Sequence, residues 1–252
     1  MRMVSRLSKM LQEVRKEMAG KGGFIGNGML SLRVEPREQL RENDCGLACL
    51  NMAAGYYDRG MDQKKLIEEA EKLGLFNKHN LIDGPDLVVA GEEIFGLKVT
   101  GFSKVPKILE SLINDGNNDE NVKKLKWKYD SFNPSRNPFV NHYYNSRLGS
   151  VIYPVDKIFN VDEKLDKDLK NYLKKYPAIY LSKAHYKILL GALGSEDYLN
   201  IIKIDPYKGQ ENLDPNLDEI TDLYFVQPSD ARKEQIKRNT KNILEVAGID
   251  IF

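Results

Sequence analysis

Residues 39–57 read QLRENDCGLACLNMAAGYY, with Cys45 between Asp44 and Gly46 and Gln39 six residues before it. Beyond Gly46 the run is apolar and rich in small residues, which predicts a buried helix over about 44–57. Asp44 suits its N-cap. A cysteine that opens a helix faces unpaired backbone N–H groups and the positive end of the helix dipole, both of which favour a thiolate. Cys45 is therefore a candidate nucleophile. Such a group needs a base within hydrogen-bond reach, and a third group that holds the base in its useful tautomer.

Three histidines are available. His79, in FNKHNLIDG, and His142, in VNHYYN, lie in polar contexts and read as solvated loop residues. His185 opens the apolar run HYKILLGAL, which predicts a strand. The next run, YLNIIKIDP, ends in Asp205-Pro206, and the intervening GSED reads as a hairpin turn. In an antiparallel hairpin the end of the second strand lies beside the start of the first. A turn centred near Gly194-Ser195 would set Asp205 opposite residue 184 or 185. His185 is thus the candidate base and Asp205 its orienting carboxylate. Gln39 can donate a side-chain hydrogen bond to a developing oxyanion, with the Cys45 backbone N–H as second donor. Cys49, one turn deeper and without such neighbours, reads as a packing residue.

Around this centre the chain divides into helices first and antiparallel strands second, the pattern of an α+β domain. Helices are expected over about 62–73, 85–95 and 106–113, with Gly96 stopping the second of these. Strands are expected over 31–34, 97–101, 178–182 and 223–228. Residues 114–150 contain the turn-like NDGNNDEN, the basic and aromatic KKLKWKYD, and a run rich in Asn, Pro and Ser. With the helical 161–175 they read as an insertion over about 114–176. The basic stretch reads as a solvated face rather than a nucleic-acid surface. Residues 3–19 predict an amphipathic helix, followed by a Gly-rich arm in which Gly22-Gly23 is either a cleavage site or part of a packing arm. The expected organisation is an N-terminal helix and arm over 1–29, one domain over 30–228, and a C-terminal helix and tail over 229–252.

Composition bounds the chemistry. Charged residues make up 30% of the 252 residues, hydrophobic ones 41%, and the formal net charge is +1. That balance gives neither nucleic acid nor a membrane surface as a main partner. No run is long enough to span a bilayer, and the N-terminus lacks a signal-peptide apolar core. The expected compartment is a cytoplasm, either the protein's own or that of a cell it is delivered into. Two cysteines four residues apart on one helix fit a disulfide poorly. No cysteine–histidine zinc cluster, calcium loop or phosphate-binding loop is present, so neither metal nor cofactor is expected.

Gln39-x-x-x-x-Asp44-Cys45-Gly46, with Ala48-Cys49-Leu50 and Tyr56-Tyr57, resembles the nucleophile motif of the papain-like cysteine peptidases of the C39 type. These are known as double-glycine-cleaving, bacteriocin-processing domains and their stand-alone relatives. His185-Tyr186, the apolar run to Gly191, and Ile204-Asp205-Pro206 resemble that family's histidine–aspartate motif. The resemblance covers about residues 30–228. It implies a papain-like fold, in which a helical lobe carrying the nucleophile packs on an antiparallel sheet lobe. It also implies a peptide or protein substrate, with Cys45 as nucleophile, His185 as base, Asp205 as orienter and Gln39 as oxyanion donor. The span from Cys45 to His185 is about twice that of compact family members. A stand-alone chain with so long an insert resembles a specialised peptidase or a bacterial effector acting on host proteins. Glutamine deamidation or transglutamination begins with the same thioester and is the alternative, as is a binding module that keeps the fold without catalysis.

Overall fold

The computed structural model describes residues 23–25, 29–32, 34–77, 81–133, 148–156, 158, 176–195, 198–207, 210–214 and 219–228. Several sequence expectations fall outside them: the helices at 3–19, 161–175 and 229–252, Gly22 of the glycine pair, His79 and His142. The described helices are α1 (Cys45–Gly55), α2 (Gln63–Lys72), α3 (Gly84–Glu93), α4 (Val105–Asn114) and α5 (Glu120–Ser131). The strands are β1 (Gly23–Ile25), β2 (Met29–Ser31), β3 (Leu97–Ser103), β4 (Val151–Pro154) and β5 (Ala178–Ser182). They continue with β6 (His185–Ser195), β7 (Tyr198–Asp205), β8 (Gln210–Asp214) and β9 (Ile220–Pro228). The protein is α+β, a helical layer on a sheet ordered β4-β3-β9-β5-β6-β7-β8.

Helix α1 is apolar all round, and such a helix must be buried on every side. Its residues from Cys45 to Ala54 are all buried. It packs on β6, β5 and β9 of the sheet and on α2 and α3. Leu47 and Leu50 are wholly inaccessible to solvent, and each such side chain stabilises the fold by roughly 1.5–3 kcal/mol. The one polar side chain in its middle, Asn51, is fully satisfied. Its Nδ2 donates to the Met61 carbonyl and to Gln63 Oε1, both at 2.9 Å, and its Oδ1 accepts the Met61 N–H at 2.9 Å. Asn51 thereby fixes the start of α2.

Both flanking helices start on aspartates. Asp62 accepts the Lys65 N–H at 3.0 Å, and Asp83 accepts the Asp86 N–H at 3.1 Å. Gly96 lies at φ +60°, the left-handed conformation that ends a helix and that glycine adopts without a Cβ clash, and β3 begins one residue later.

Both faces of the sheet are covered. Along β9, Tyr224 and Val226 belong to the core under α1, while Leu223 and Phe225 join Phe102, Tyr180 and Leu189 in a second cluster. All neighbouring strands are antiparallel except β3 and β4, which run parallel with Thr100 opposite Val151.

Two differences from the sequence reading lie in the region read as an insertion. KKLKWKYD is helical, because Val122, Leu125, Tyr129 and Phe132 recur at helical spacing and pack onto the main core. The solvated face expected there holds for Lys123, Lys124 and Trp127, but Lys126 and Lys128 turn inward. Lys126 pairs with Asp130 at 2.7 Å, and Lys128 bridges Asp86 at 2.5 Å and Asp83 at 3.2 Å, tying α5 to the N-terminus of α3. Strand β4 then joins the main sheet. Residues 31–34, expected as a strand, give one only up to Ser31; Leu32 instead donates its N–H to the Leu190 carbonyl of β6 at 2.8 Å.

Candidate active site

Cys45 is the first residue of α1, and its thiol lies at the sheet end where β6 begins. Gly46 follows because nothing larger fits. A Cβ there would sit 2.6 Å from Ile82 Cγ2 and 3.0 Å from Tyr186 Cδ2. Asp44 occupies the N-cap position, but its carboxylate does not cap the helix. At φ −89° and ψ 5° its backbone is not extended as a capping residue's is, so the side chain turns back and accepts the Arg41 N–H at 3.1 Å. Burial pushes the Asp44 carboxyl up from its ordinary value, against the opposing pull of Arg41.

His185 is set by the turn before it. Lys183 and Ala184, at φ +50° and +59°, link Ser182 to His185 in a two-residue hairpin. The His185 Nε2 lies 2.9 Å from Asp205 Oδ1. Its other ring nitrogen, Nδ1, is the one left for the thiol. The ring's pKa is raised above 6.5, first by the hydrogen bond with Cys45, against the cost of burial, and then by Asp205. Burial opposes the charge of Asp205, yet hydrogen bonds from His185 and from the Tyr207 N–H hold its carboxyl below its ordinary value. Thiol, imidazole and carboxylate therefore form one connected line, drawn from α1, β6 and β7. Such a line can generate a thiolate beside an imidazolium and later return the proton.

The register that joins His185 to Asp205 differs from the sequence expectation. The hairpin turn lies after Ser195, which pairs with Tyr198, so it sits later than Gly194-Ser195. The ladder shifts between Leu189 and Gly191, leaving Leu190 as an extra residue. Below that bulge Ile188 faces Ile204, so the next pair is Lys187 with Asp205. Asp205 is then the diagonal neighbour of His185 on the same face, close enough for the side chains to meet. An unbroken ladder from the Ser195–Tyr198 pair would have set Asp205 against Ile188, on the opposite face from His185.

Gln39 is tied to the same strand end, its N–H donating to the Pro206 carbonyl at 2.9 Å. Its side-chain Nε2 donates to the carbonyls of Arg41 and Glu42, both at 2.9 Å, while its Oε1 is buried without a hydrogen-bond partner. In this state the amide holds the loop that leads to the nucleophile. Sequence reasoning placed Gln39 near Cys45 but not in that bracing role, nor did it find the Lys183-Ala184 turn or the Leu190 bulge. Lysine and alanine, unlike glycine, asparagine or aspartate, give no local sign of a left-handed backbone.

Cys49 is fully buried, and burial drives its thiol well above its ordinary value. It is a packing residue of the core. Among the described residues no group of histidine, cysteine, aspartate and glutamate could hold a metal ion, and no helix is long and apolar enough to cross a membrane.

No curated protein matches the chain. Among solved structures, it is similar to a double glycine motif protease from an AMS/PCAT transporter in complex with the leader peptide. That match has 14% identity, 81% of this chain, 97% of the other and a TM-score of 0.43. It is similar also to the peptidase domain of Streptococcus ComA, a bi-functional ABC transporter involved in quorum sensing, at 16% identity, 78% and 100% coverage and a TM-score of 0.41. A third, UfSP from C. elegans, shares 9% identity over 82% of this chain and 36% of its own, with a TM-score of 0.41. Residues 33–112, the segment holding Gln39, Asp44, Cys45 and Gly46, match the Peptidase C39 family, and by that segment the chain is a cysteine peptidase-like hydrolase.

Proposed function

We propose that this protein hydrolyses a peptide bond with a Cys45–His185–Asp205 triad. The observation that carries the reading is the connected line of thiol, imidazole and carboxylate, contributed by three separate segments. His185 takes the thiol proton, and the Cys45 sulfur attacks the scissile carbonyl carbon. The carbonyl oxygen becomes an oxyanion, held by the Cys45 backbone N–H and by Gln39 Nε2. To do so Gln39 exchanges one of its two bonds, to Arg41 or Glu42, for the oxyanion. On collapse the C–N bond breaks and the His185 imidazolium protonates the leaving amine. Water, deprotonated by the same imidazole, then hydrolyses the thioester and restores the thiol. Asp205 holds the imidazole in the tautomer that makes both transfers.

The unit proposed to carry this out is residues 30–228, with the 114–176 region as an insertion in it and 1–29 and 229–252 outside it. The substrate is a peptide or protein, of a host cell if the chain acts as a delivered effector. Covalent labelling by a peptide-like thiol probe tests the assignment. Cys45→Ala is expected to abolish labelling and substrate cleavage, while Cys49→Ala keeps both. Equal labelling of the two variants would overturn the assignment. Intact mass of a candidate substrate separates the chemistries: a cut chain marks a peptidase, and a gain of about one dalton marks deamidation by the same thioester route.

A further inference from the structure

Beside Cys45 lies an open cavity of about 220 Å³. Its wall is largely apolar, built from Leu81, Leu125, Leu181, Ala184 and Tyr186, with the Cys45 residue itself on the rim. Three polar residues, Asn43, Asn77 and Asp83, also line it. None of the three is free. Asn77 Oδ1 accepts the Leu81 N–H at 3.1 Å, and the Asp83 carboxylate caps Asp86 and faces Lys128. Lys128 meets the Asp83 carboxylate but is shared with Asp86, so the apolar wall, which makes up most of the lining, decides what the cavity takes.

We infer that this cavity is a specificity pocket for a large apolar side chain, aromatic or branched aliphatic, on a residue flanking the bond that Cys45 attacks. The inference rests on the proposed reading of Cys45 as the nucleophile. Size decides the class. An apolar cavity of roughly 150 Å³ accepts a benzene ring, so this one holds a phenyl or isobutyl group with room to spare. A glycine at the same substrate position would leave it empty and gain nothing from it, since the gain comes from apolar surface removed from water. Because the pocket shares its rim with the nucleophile, filling it also fixes the distance between sulfur and carbonyl, so the preference falls on the rate of thiol chemistry. The pocket is shaped jointly by α5, which supplies Leu125, and by the β5–β6 hairpin, which supplies Leu181 from β5 and Ala184 from the turn. The family-matched segment alone does not build it.

The test uses the full chain and two alkylating probes, N-methyl- and N-benzyl-2-chloroacetamide. Labelling rates at Cys45 are read by peptide mass mapping and divided by the rate of each probe with glutathione. The benzyl probe is expected to react at least about tenfold faster after that correction, the gain of burying one phenyl ring. Leu125→Trp and, separately, Leu181→Trp fill the pocket and are expected to reduce the preference to about threefold or less while the methyl probe still reacts. Retained methyl-probe labelling shows that each variant is folded at the site. Equal rates for the two probes in the unmodified protein, with Cys45 labelled by both, would overturn the pocket and leave the nucleophile assignment standing. A benzyl preference that survives both tryptophan substitutions would likewise overturn it. Labelling of Cys45 by neither probe would overturn the nucleophile assignment and the pocket with it.

Discussion

Two hairpins share strand β6 and hold its two ends by different means. The β5–β6 hairpin is regular throughout, from Ala178 opposite Leu189 to Ser182 opposite His185. Its register is set by a two-residue turn whose Lys183 and Ala184 both lie in the left-handed region. The β6–β7 hairpin leaves its turn in one register and reaches Asp205 in another, after the extra residue Leu190. The first device aims His185, and the second brings Asp205 to the same face. A tight turn fixes a residue that stands next to it; a residue eight positions down a strand depends on every pairing in between. The site thus tolerates a strained turn at one end and requires a bulge at the other.

The largest effect is expected from breaking the second device. One alanine inserted between Ile204 and Asp205 moves the carboxylate to the opposite face, and Asp205→Asn removes its charge. Each is expected to lower the rate of substrate cleavage by up to roughly 10⁴-fold, the loss that follows when the orienting aspartate of a Ser-His-Asp triad is replaced by asparagine. The same alanine inserted between Ile202 and Lys203, opposite Leu190, completes the ladder and keeps the Lys187–Asp205 pairing. Cys45 labelling within about threefold of the unmodified rate is expected there, because the register below the bulge is unchanged. If both insertions cost the same, the register account is wrong.

Next comes the loop tied to that strand end. Gln39→Ala is expected to reduce cleavage by about 10²-fold or more, as loss of an oxyanion donor does, yet to change alkylation by a chloroacetamide far less, because that displacement forms no oxyanion. A matching loss in both assays would make Gln39 only a brace for residues 41 and 42.

The link between the two hairpins is itself pH-dependent. His185 has a folded-state pKa raised above 6.5, so its stabilisation is complete below 6.5 and is lost as pH rises through the raised value. Asp205 is depressed below 3.8, so its stabilisation is present above 3.8 and is lost as pH falls through the lowered value. Both act together between those limits. Urea unfolding of the unmodified protein and Asp205→Asn is expected to show a wider stability gap at pH 5.5 than at pH 8.5. A gap that widens with rising pH would contradict the pairing.

The smallest effect belongs to the first device. Ala184 at φ +59° carries a left-handed penalty of about 1–2 kcal/mol that glycine escapes, offset by glycine's greater loss of chain freedom on folding. Ala184→Gly is expected to stabilise the protein by about 0.5–1 kcal/mol net, raising Tm by a few degrees. A fall in Tm would mean that the turn carries no strain.

Much of the helical half was legible because its signals are local. The unbroken apolar run after Gly46 could only be a buried helix, the aspartates at 62 and 83 cap where they stand, and Gly96 ends α3 where its φ is positive. Helix α5 was missed because lysines interrupt its apolar stripe, and the partners of Lys128, Asp83 and Asp86, lie about forty residues away in sequence. The short strand β4 leans on a neighbour distant in sequence, β3, whose Thr100 stands opposite Val151, rather than on its own pattern.

The same division runs through the site. Sequence alone supplied the residue types: a cysteine at a helix start, a glycine that the Ile82–Tyr186 contact demands, a histidine opening one strand and an aspartate closing the next. Only the tertiary structure decided which face Asp205 occupies, where Gln39 directs its amide, and that an apolar cavity opens beside the thiol. The physical reason is that side-chain facing alternates with every residue of a strand. One extra residue at Leu190 reverses the outcome, and whether the ladder bulges there depends on Leu32 and the packing against α1 as much as on the strand's own sequence.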